Sequence, residues 1–360
     1  MVTARFQHNI PETQTVPSIF FFIPCAVAVR TAPIRTEDYW PWHVDYLDHR
    51  RGAISLDGPL VWTVLTYLQL RDRGVSVRLV SEFPEEGIVV AHADFLDGES
   101  VAPKGGLSPL SMIVGIKQER LLARELVRKG HVWVVQNPND TICRWPLPLL
   151  IRTFAVAHWP QPSLIPRDKS RGRVFENAAF VGNRCELHSD LHDWGAQLSC
   201  SGLTWQIVPR RAWNDFSGID VVVALRPDLS FEYPNRPCSR LINAWAAGVP
   251  AILGPEIYYR RLRRSSLDYL EAGSPKEALG YLERLRKDPH LREDMAAHGL
   301  KRAREFTTER IARAWERFFL ATAVPYFISW KRSAWKRRLF DLRMKLFSGE
   351  HLPYHPVGIR

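Results

Sequence analysis

The chain has 360 residues, of which 46% are hydrophobic and 24% charged, with a formal net charge of +11. That length fits two domains of ordinary size, and the apolar content is enough to give each its own core. Five cysteines (Cys25, Cys143, Cys185, Cys200 and Cys238) show no Cys-x-x-Cys or zinc-type spacing, which argues against a structural metal and for a reducing compartment, here the cytoplasm.

The first 17 residues are polar, include Pro11 and Pro17 and carry no signal-peptide pattern; a flexible N-terminus is expected over 1–17. The apolar run 18–29 falls short of the roughly 20 residues that span a bilayer and reads as a buried first strand. Residues 60–73 (LVWTVLTYLQLRDR) read as a helix stopped by Gly74. The alternation over 75–80 predicts a strand, and GIVVA at 87–91 predicts a buried one ending at His92. A strand over 111–116, a helix over 118–129 closed by Gly130 and a strand over 132–136 follow. Strands alternating with helices imply a parallel sheet covered on both faces.

Over 145–173 the chain holds Pro146, Pro148, Pro160, Pro162 and Pro166, then the polar run DKSRGR. This reads as the last connection of one domain and the linker to the next. The alternation then restarts: strand 177–181 ending in Gly182-Asn183, helix 189–200, strand 204–208, strand 219–225, helix 239–247 and strand 250–253. Helices are predicted over 275–287, 288–305 and 308–321, the first opened by Ser274-Pro275-x-Glu277. The fold class is α/β, with two tandem Rossmann-like domains at 18–165 and 174–322. A linker at 166–173 joins them, and a basic C-terminal tail follows at 323–360.

The stretch 236–256, RPCSRLINAWAAGVPAILGPE, carries the main functional signal. A helix start offers free N–H groups and partial positive charge to an anion. Ser239 adds a hydroxyl, and Arg236 and Arg240 add guanidiniums suited to phosphate. The helix follows a buried strand, and ligands of open parallel sheets bind at strand carboxyl ends. A phosphate or diphosphate ligand is therefore expected. The alternative is an ordinary N-cap with two solvated arginines.

AWAAGVPAILGPE also resembles the donor-site segment of GT-B glycosyltransferases, where a helix runs into A-x-G-x-P-V-I, a small-residue turn and an acid. More narrowly, the chain is similar to bacterial GT-B proteins with HWPQP before the linker, F-x-G-N after it and an INAW-x-AGVPAILGPE donor segment. In that pattern Arg236 and Arg240 stand where lysines are found. The resemblance implies a nucleotide-diphosphate sugar held by the second domain and an acceptor held by the first. Retaining members carry two Glu with seven residues between them across this loop and helix. Here those positions are Asn235 and Asn243, amides without charge, which leaves inversion and retention both open.

The same resemblance brings Gly182, Asn183 and Arg184 close to the donor diphosphate, where a Cβ would obstruct; the alternative is a plain strand-end turn. Glu256 is expected at sugar or ribose hydroxyls, or else as a surface carboxylate at the helix that follows. His92, with Asp94 two residues on, is the candidate general base, against a packed histidine. His43 with Asp45 is the weaker pair. Asn137, His158 and Trp159 are expected to face the cleft, Trp159 either stacking on a sugar or base or packing in the hinge. No Asp-x-Asp motif is present, and the pair Glu85-Glu86 has no partner spacing, so no metal site and no cofactor are expected.

From Lys301 to Arg360 there are 14 Lys/Arg against 5 Asp/Glu, so nine of the eleven net charges sit in the last sixth of the chain. Within 326–347, Ile328, Trp335, Leu339, Leu342 and Leu346 fall on one helical face. Such a helix either docks on an anionic membrane surface or packs back on the first domain. No nucleic-acid motif accompanies the charge, so nucleic acid is not expected. The sequence reading is a metal-independent glycosyltransferase acting on a sugar, glycan or lipid-linked acceptor, cytoplasmic or peripheral at the membrane. The alternatives are a nucleotide-sugar epimerase and a non-catalytic, membrane-recruited nucleotide- or sugar-binding protein.

Overall fold

Short runs of β-branched and aromatic residues form the strands, and the periodic stretches between them form the helices. The computed structural model describes residues 17–24, 34–48, 57–97, 108, 110–120, 122, 124–144 and 152–346. The first unit opens with β1 (Ile19–Phe22) and helix α1 (Tyr39–Asp48). Helix α2 then runs through Asp57–Leu60, a π-wound stretch Val61–Leu65 and Thr66–Asp72. Strands β2 (Val77–Val80) and β3 (Glu86–His92) follow, then helix α3 (Ala93–Asp97), β4 (Leu110–Ile116), helix α4 (Arg124–Lys129), β5 (Val132–Val135) and β6 (Arg152–Ala155). The six strands make one sheet in the order β2-β1-β3-β4-β5-β6, and every pair is parallel. Apart from its first residue, β3 is buried along its whole length, as expected of a parallel sheet covered on both faces.

The second unit repeats the plan. It holds β7 (Asn177–Val181), helix α5 (Gly195–Ser199), β8 (Thr204–Val208), β9 (Val221–Ala224), helix α6 (Ser239–Ala247) and β10 (Ala251–Leu253). Helix α7 (Ile257–Leu262), β11 (Leu270–Glu271), α8 (Pro275–Lys287) and α9 (Pro289–Ala303) complete it. Its five parallel strands run in the order β11-β10-β9-β7-β8. In both sheets the winding reverses beside the first strand, between β1 and β3 and between β7 and β9. Those reversals open crevices at the strand carboxyl ends, where doubly wound sheets bind ligands.

After α9 the chain returns to the first unit. Helix α10 runs through Thr308–Phe318, a π-wound stretch Phe319–Ala323 and Val324–Arg332. Ile311, Trp315, Phe318, Phe319, Phe327 and Trp330 are buried in the same core as β1 and β3. Trp315 meets Phe21 edge-on, with ring centroids 6.4 Å apart, and Arg73 of the first unit bonds Glu316 at 2.6 Å. Ser333 is extended and breaks the helix before α11 (Ala334–Leu346).

Several expectations shift. Residues 308–322, expected in the second domain, belong to the first core. The expected linker 166–173 is docked on the second unit: Arg167 N–H donates to the Ala247 carbonyl at 3.0 Å and Asp168 N–H to that of Ser217 at 3.0 Å. The crossing lies earlier, around 156–164. The proline-rich stretch contains a strand, β6, that its prolines masked. The helix expected over 118–129 starts only at Arg124, because Gln118 has a left-handed backbone, φ 51°, which an L-residue cannot carry into a helix. The helix expected over 189–200 is a 3-10 turn at Ser189–Leu191 followed by the short α5. Ile328, grouped by sequence with Trp335, packs instead against the first core. The expected flexible N-terminus through residue 16, the end of the first apolar run past Pro24, Cys25, Pro146, Pro148 and the tail after Leu346 lie outside the described residues.

Candidate functional site

A cleft between the two units is lined from the second by Gly182, Asn183, Glu186, Arg226, Ser239, Arg240 and Asn243. From the first come Trp40, His43, Asp57, Gln118 and Glu119, and from the crossing His158, Trp159 and Gln161. It lies over the β7/β9 reversal, since Gly182 follows β7 and Arg226 follows β9. Helix α6 opens onto it. Its N-cap, Cys238, makes no side-chain cap, so the first-turn N–H groups are not satisfied by a capping side chain.

Three arginines converge beside that helix start. Arg226 and Arg236 reach Glu186 at 3.2 Å and 2.8 Å, and Arg240 bonds the same carboxylate. Burial would raise the Glu186 carboxyl, but Arg240 and Arg226 hold it below its ordinary value. Burial and neighbouring Arg240 push Arg236 down to about 10, so it stays charged at neutral pH. Burial would lower Arg226, but Glu256 and Glu186 keep it raised. A Cβ on Gly182 would stand 2.9 Å from Arg240 Nη2 and 3.0 Å from Phe180. Glycine is what lets this strand end approach the guanidinium.

Glu256 does not line the cleft. It is 2% exposed and accepts from Arg226 Nε at 3.0 Å, so the chain itself uses the carboxylate that was expected to meet ligand hydroxyls. Asn243 lines the cleft, but its Oδ1 accepts from Gln161 N–H of the crossing at 3.0 Å. Asn235 donates its amide to the Glu119 carbonyl at 2.5 Å. Asn137 is fully buried and points away from the cleft: its amide donates to the Arg236 carbonyl at 3.0 Å. Together with Gln136, which donates to the Asn235 carbonyl at 3.2 Å, and the Glu119–Arg236 ion pair, it clasps the loop before α6 to the first unit. The pair Lys117–Asp140, 2.8 Å apart and buried, braces the segments on either side of this clasp.

His92 is buried and absent from the cleft lining. Its Nδ1 accepts from Asp94 N–H at 3.1 Å, so the ring proton sits on Nε2, which donates to Gln118 Oε1 at 2.7 Å. Burial, only partly offset by Asp94, lowers the ring to about 4. His92 is thus a neutral prop, and Asp94 is engaged by Arg120 at 2.5 Å. What reaches the cleft is Gln118: its Oε1 is taken by His92, which leaves the NH2 end free to face the cleft. Gly58 makes room for it, since a Cβ there would fall 1.7 Å from the Gln118 amide nitrogen.

The histidine that lines the cleft is His43. Tyr39 Oη lies 3.1 Å from its Nδ1, and its Nε2 lies 3.2 Å from Asp57 Oδ1. Asp57 also meets Arg210 of the second unit at 3.1 Å. Asp45, its expected partner, is exposed on the helix and does not line the cleft. His158 is half-buried at the cleft with Nδ1 2.7 Å from the Trp159 carbonyl, and desolvation lowers its ring. Trp159 is 2% exposed and donates to Thr66 Oγ1 at 2.9 Å, so it is hinge packing and not a stacking platform.

The architecture has known counterparts. The structure of Anabaena Alr3699/HepE in complex with UDP superposes with a TM-score of 0.52 at 10% identity, over 85% of this chain and 100% of that one. The same protein with UDP and glucose gives 0.51 at 10% identity over the same shares. The chain has the GT-B fold. A chain of the GtfA/B complex gives 0.45 at 10% identity over 75% of this chain; this chain spans 61% of its length. No family model and no curated protein matches the sequence. The cleft described above is the crevice between the two units of that fold. Sequence reasoning missed Arg226, Glu186, Glu119, Asp57 and Gln118. Arg226, which closes a five-residue apolar strand run, was the one with a local signal.

Proposed function

We infer that the protein transfers a sugar from a nucleotide-diphosphate sugar to a sugar, glycan or lipid-linked acceptor, as a hexosyltransferase-type enzyme. The observation that carries this is the convergence of Arg226, Arg236 and Arg240 on the uncapped start of α6 beside Gly182, at the reversal point of the second sheet. Such a cluster stabilises the charge that develops on a departing diphosphate. It would do so without a metal ion and without a cofactor. That a protein of the same fold was crystallised with UDP and with glucose supports a nucleotide-sugar donor. Across the cleft, the partly exposed carboxylate of Asp57, held by the buried His43, is the group to take the acceptor proton, and Gln118 presents an amide to an acceptor or sugar oxygen. That Cys185, Cys200 and Cys238 form no disulfide among the described residues is consistent with a reducing, cytoplasmic setting.

The test is a thermal-shift and turnover panel of UDP-, GDP-, dTDP- and CMP-sugars in EDTA, repeated with Arg240→Ala. One nucleotide family should raise the melting temperature, the variant should abolish the shift, and nucleotide should be released slowly without metal. A second reading is a non-catalytic nucleotide-sugar binder, favoured by Asn235 and Asn243 both being spent on bonds within the protein. It predicts the shift without turnover. A nucleotide-sugar epimerase would instead convert the donor with no acceptor present.

A further inference from the structure

Helix α11 has two faces with different fates. Its inner face packs on the first unit, where Phe340 stacks on His131 with ring centroids 3.7 Å apart, and α11 lies against α4. Its outer face carries Trp335, Leu339 and Leu342, spaced four and three residues apart and therefore in one row. Trp335 is 72% exposed, Leu339 44% and Leu342 49%. Among the described residues only seven large apolar side chains are this exposed, and three of them form this row. Lys336 and Arg338 are exposed beside it. The sequence of the helix adds Arg343 and Lys345 and a single acid, Asp341. No helix among the described residues is long and apolar enough to cross a membrane.

We propose that the outer row of α11 seats the protein on an anionic lipid surface. An apolar ridge with a tryptophan, flanked by cations, is the composition that enters the headgroup boundary of a bilayer bearing negative lipid. A protein partner of ordinary kind would need acids or shape to answer these cations. A bilayer supplies negative charge and an apolar layer together. The packing adds a constraint that a free tail would lack. Because Phe340 is stacked on His131 and α10 is buried in the first core, the ridge is fixed to the acceptor-side unit. The membrane would therefore hold that unit and leave the donor-side unit off the surface. This points to an acceptor carried by the lipid phase. The acceptor part rests on the transferase reading; the lipid contact does not.

The experiment is flotation of the full chain with vesicles of phosphatidylcholine alone and of phosphatidylcholine with phosphatidylglycerol, at low and high salt. The variants are the triple W335Q/L339Q/L342Q and, as a second that leaves the ridge intact, K336E/R338E. Binding to the anionic vesicles is expected, weakened by salt and reduced about tenfold or more in either variant. Both variants should keep the nucleotide-induced melting shift of the parent, which separates failure here from failure of the donor site. No binding to anionic vesicles, equal binding to neutral ones, or variants that bind as the parent does would overturn the proposal. So would binding that emerges only when residues 347–360 are removed, since the ridge would then be covered by the chain's own end.

Discussion

Glu186 and Arg236 meet at 2.8 Å where Arg226 and Arg240 also point. The carboxylate stands at the focus of the guanidiniums that a diphosphate would need. It lies four residues after Gly182, on a 3-10 turn, Arg184–Glu186, that can swing without disturbing the sheet. Glu186→Gln should therefore tighten binding of the free nucleoside diphosphate, by about 1 kcal/mol or somewhat more. The same change should lower the melting temperature of the unliganded protein, because the buried arginines then repel one another. Titration calorimetry and a melt of the same sample check both halves. Unchanged affinity would mean the carboxylate does not compete with the ligand.

The Glu119–Arg236 pair and the Asn137 amide hold the loop before α6 to the first unit. The cleft measures about 220 Å³, below the roughly 300–1,000 Å³ of small-molecule sites, so the clasp must loosen to admit a nucleotide sugar. Glu119→Gln should speed nucleotide association several-fold and raise dissociation at least as much. Stopped-flow binding separates this from a loss of contacts, which would leave association unchanged.

Asp57→Asn and His43→Ala are expected to lower kcat by about 10²–10⁴-fold while leaving the nucleotide-induced melting shift in place. His92→Gln should act differently: loss of the prop lets Gln118 turn, raising KM for the acceptor more than it lowers kcat. Comparable kcat losses for His92 and His43 variants would contradict the division of roles drawn from the cleft.

His92 also gives a pH signature. Its folded pKa of about 4 lies below the ordinary histidine value, so between about 4 and 6.5 the unfolded chain binds the extra proton. Stability should then be complete above pH 6.5 and fall as pH drops through 4, by on the order of 3 kcal/mol in all. His92→Gln should flatten that part of the curve in urea melts at stepped pH. A parallel slope in the variant would place the titration elsewhere.

Trp315 is buried among Phe21, Trp62, Phe318 and Phe319. Trp315→Ala should cost about 3–5 kcal/mol, read from chemical denaturation. A chain ending at residue 306 should fail to fold its first unit.

What the sequence made legible follows its range of interaction. β7, β8 and α6 fall at the residues that periodicity marked, because turn chemistry and burial patterns are local. The basic residues around a helix start at 236–240 were readable for the same reason. Glu186 and Glu119 join that site across 50 to 117 residues of sequence, and no local pattern marks such pairs. His92 shows the opposite error. A histidine ending a buried strand looks poised for a cleft, but its ring turns inward and a neighbour, Gln118, emerges instead. The positive φ of Gln118 carries no signature in its side chain. The homing of 308–330 to the first core was hidden because an amphipathic helix does not say which of two apolar surfaces it will cover.

That return of α10 has a consequence for biosynthesis. The first unit is not one continuous stretch of chain: Phe21 waits for Trp315 and Phe319, nearly three hundred residues later. A ribosome delivering the protein from its N-terminus must finish the whole second unit before the first can close its core. In the interval the β1 face stays exposed, open to chaperones or to other nascent chains. The second unit, by contrast, is one continuous stretch from β7 to α9 with a core of its own, so the order of folding should be the reverse of the order of synthesis.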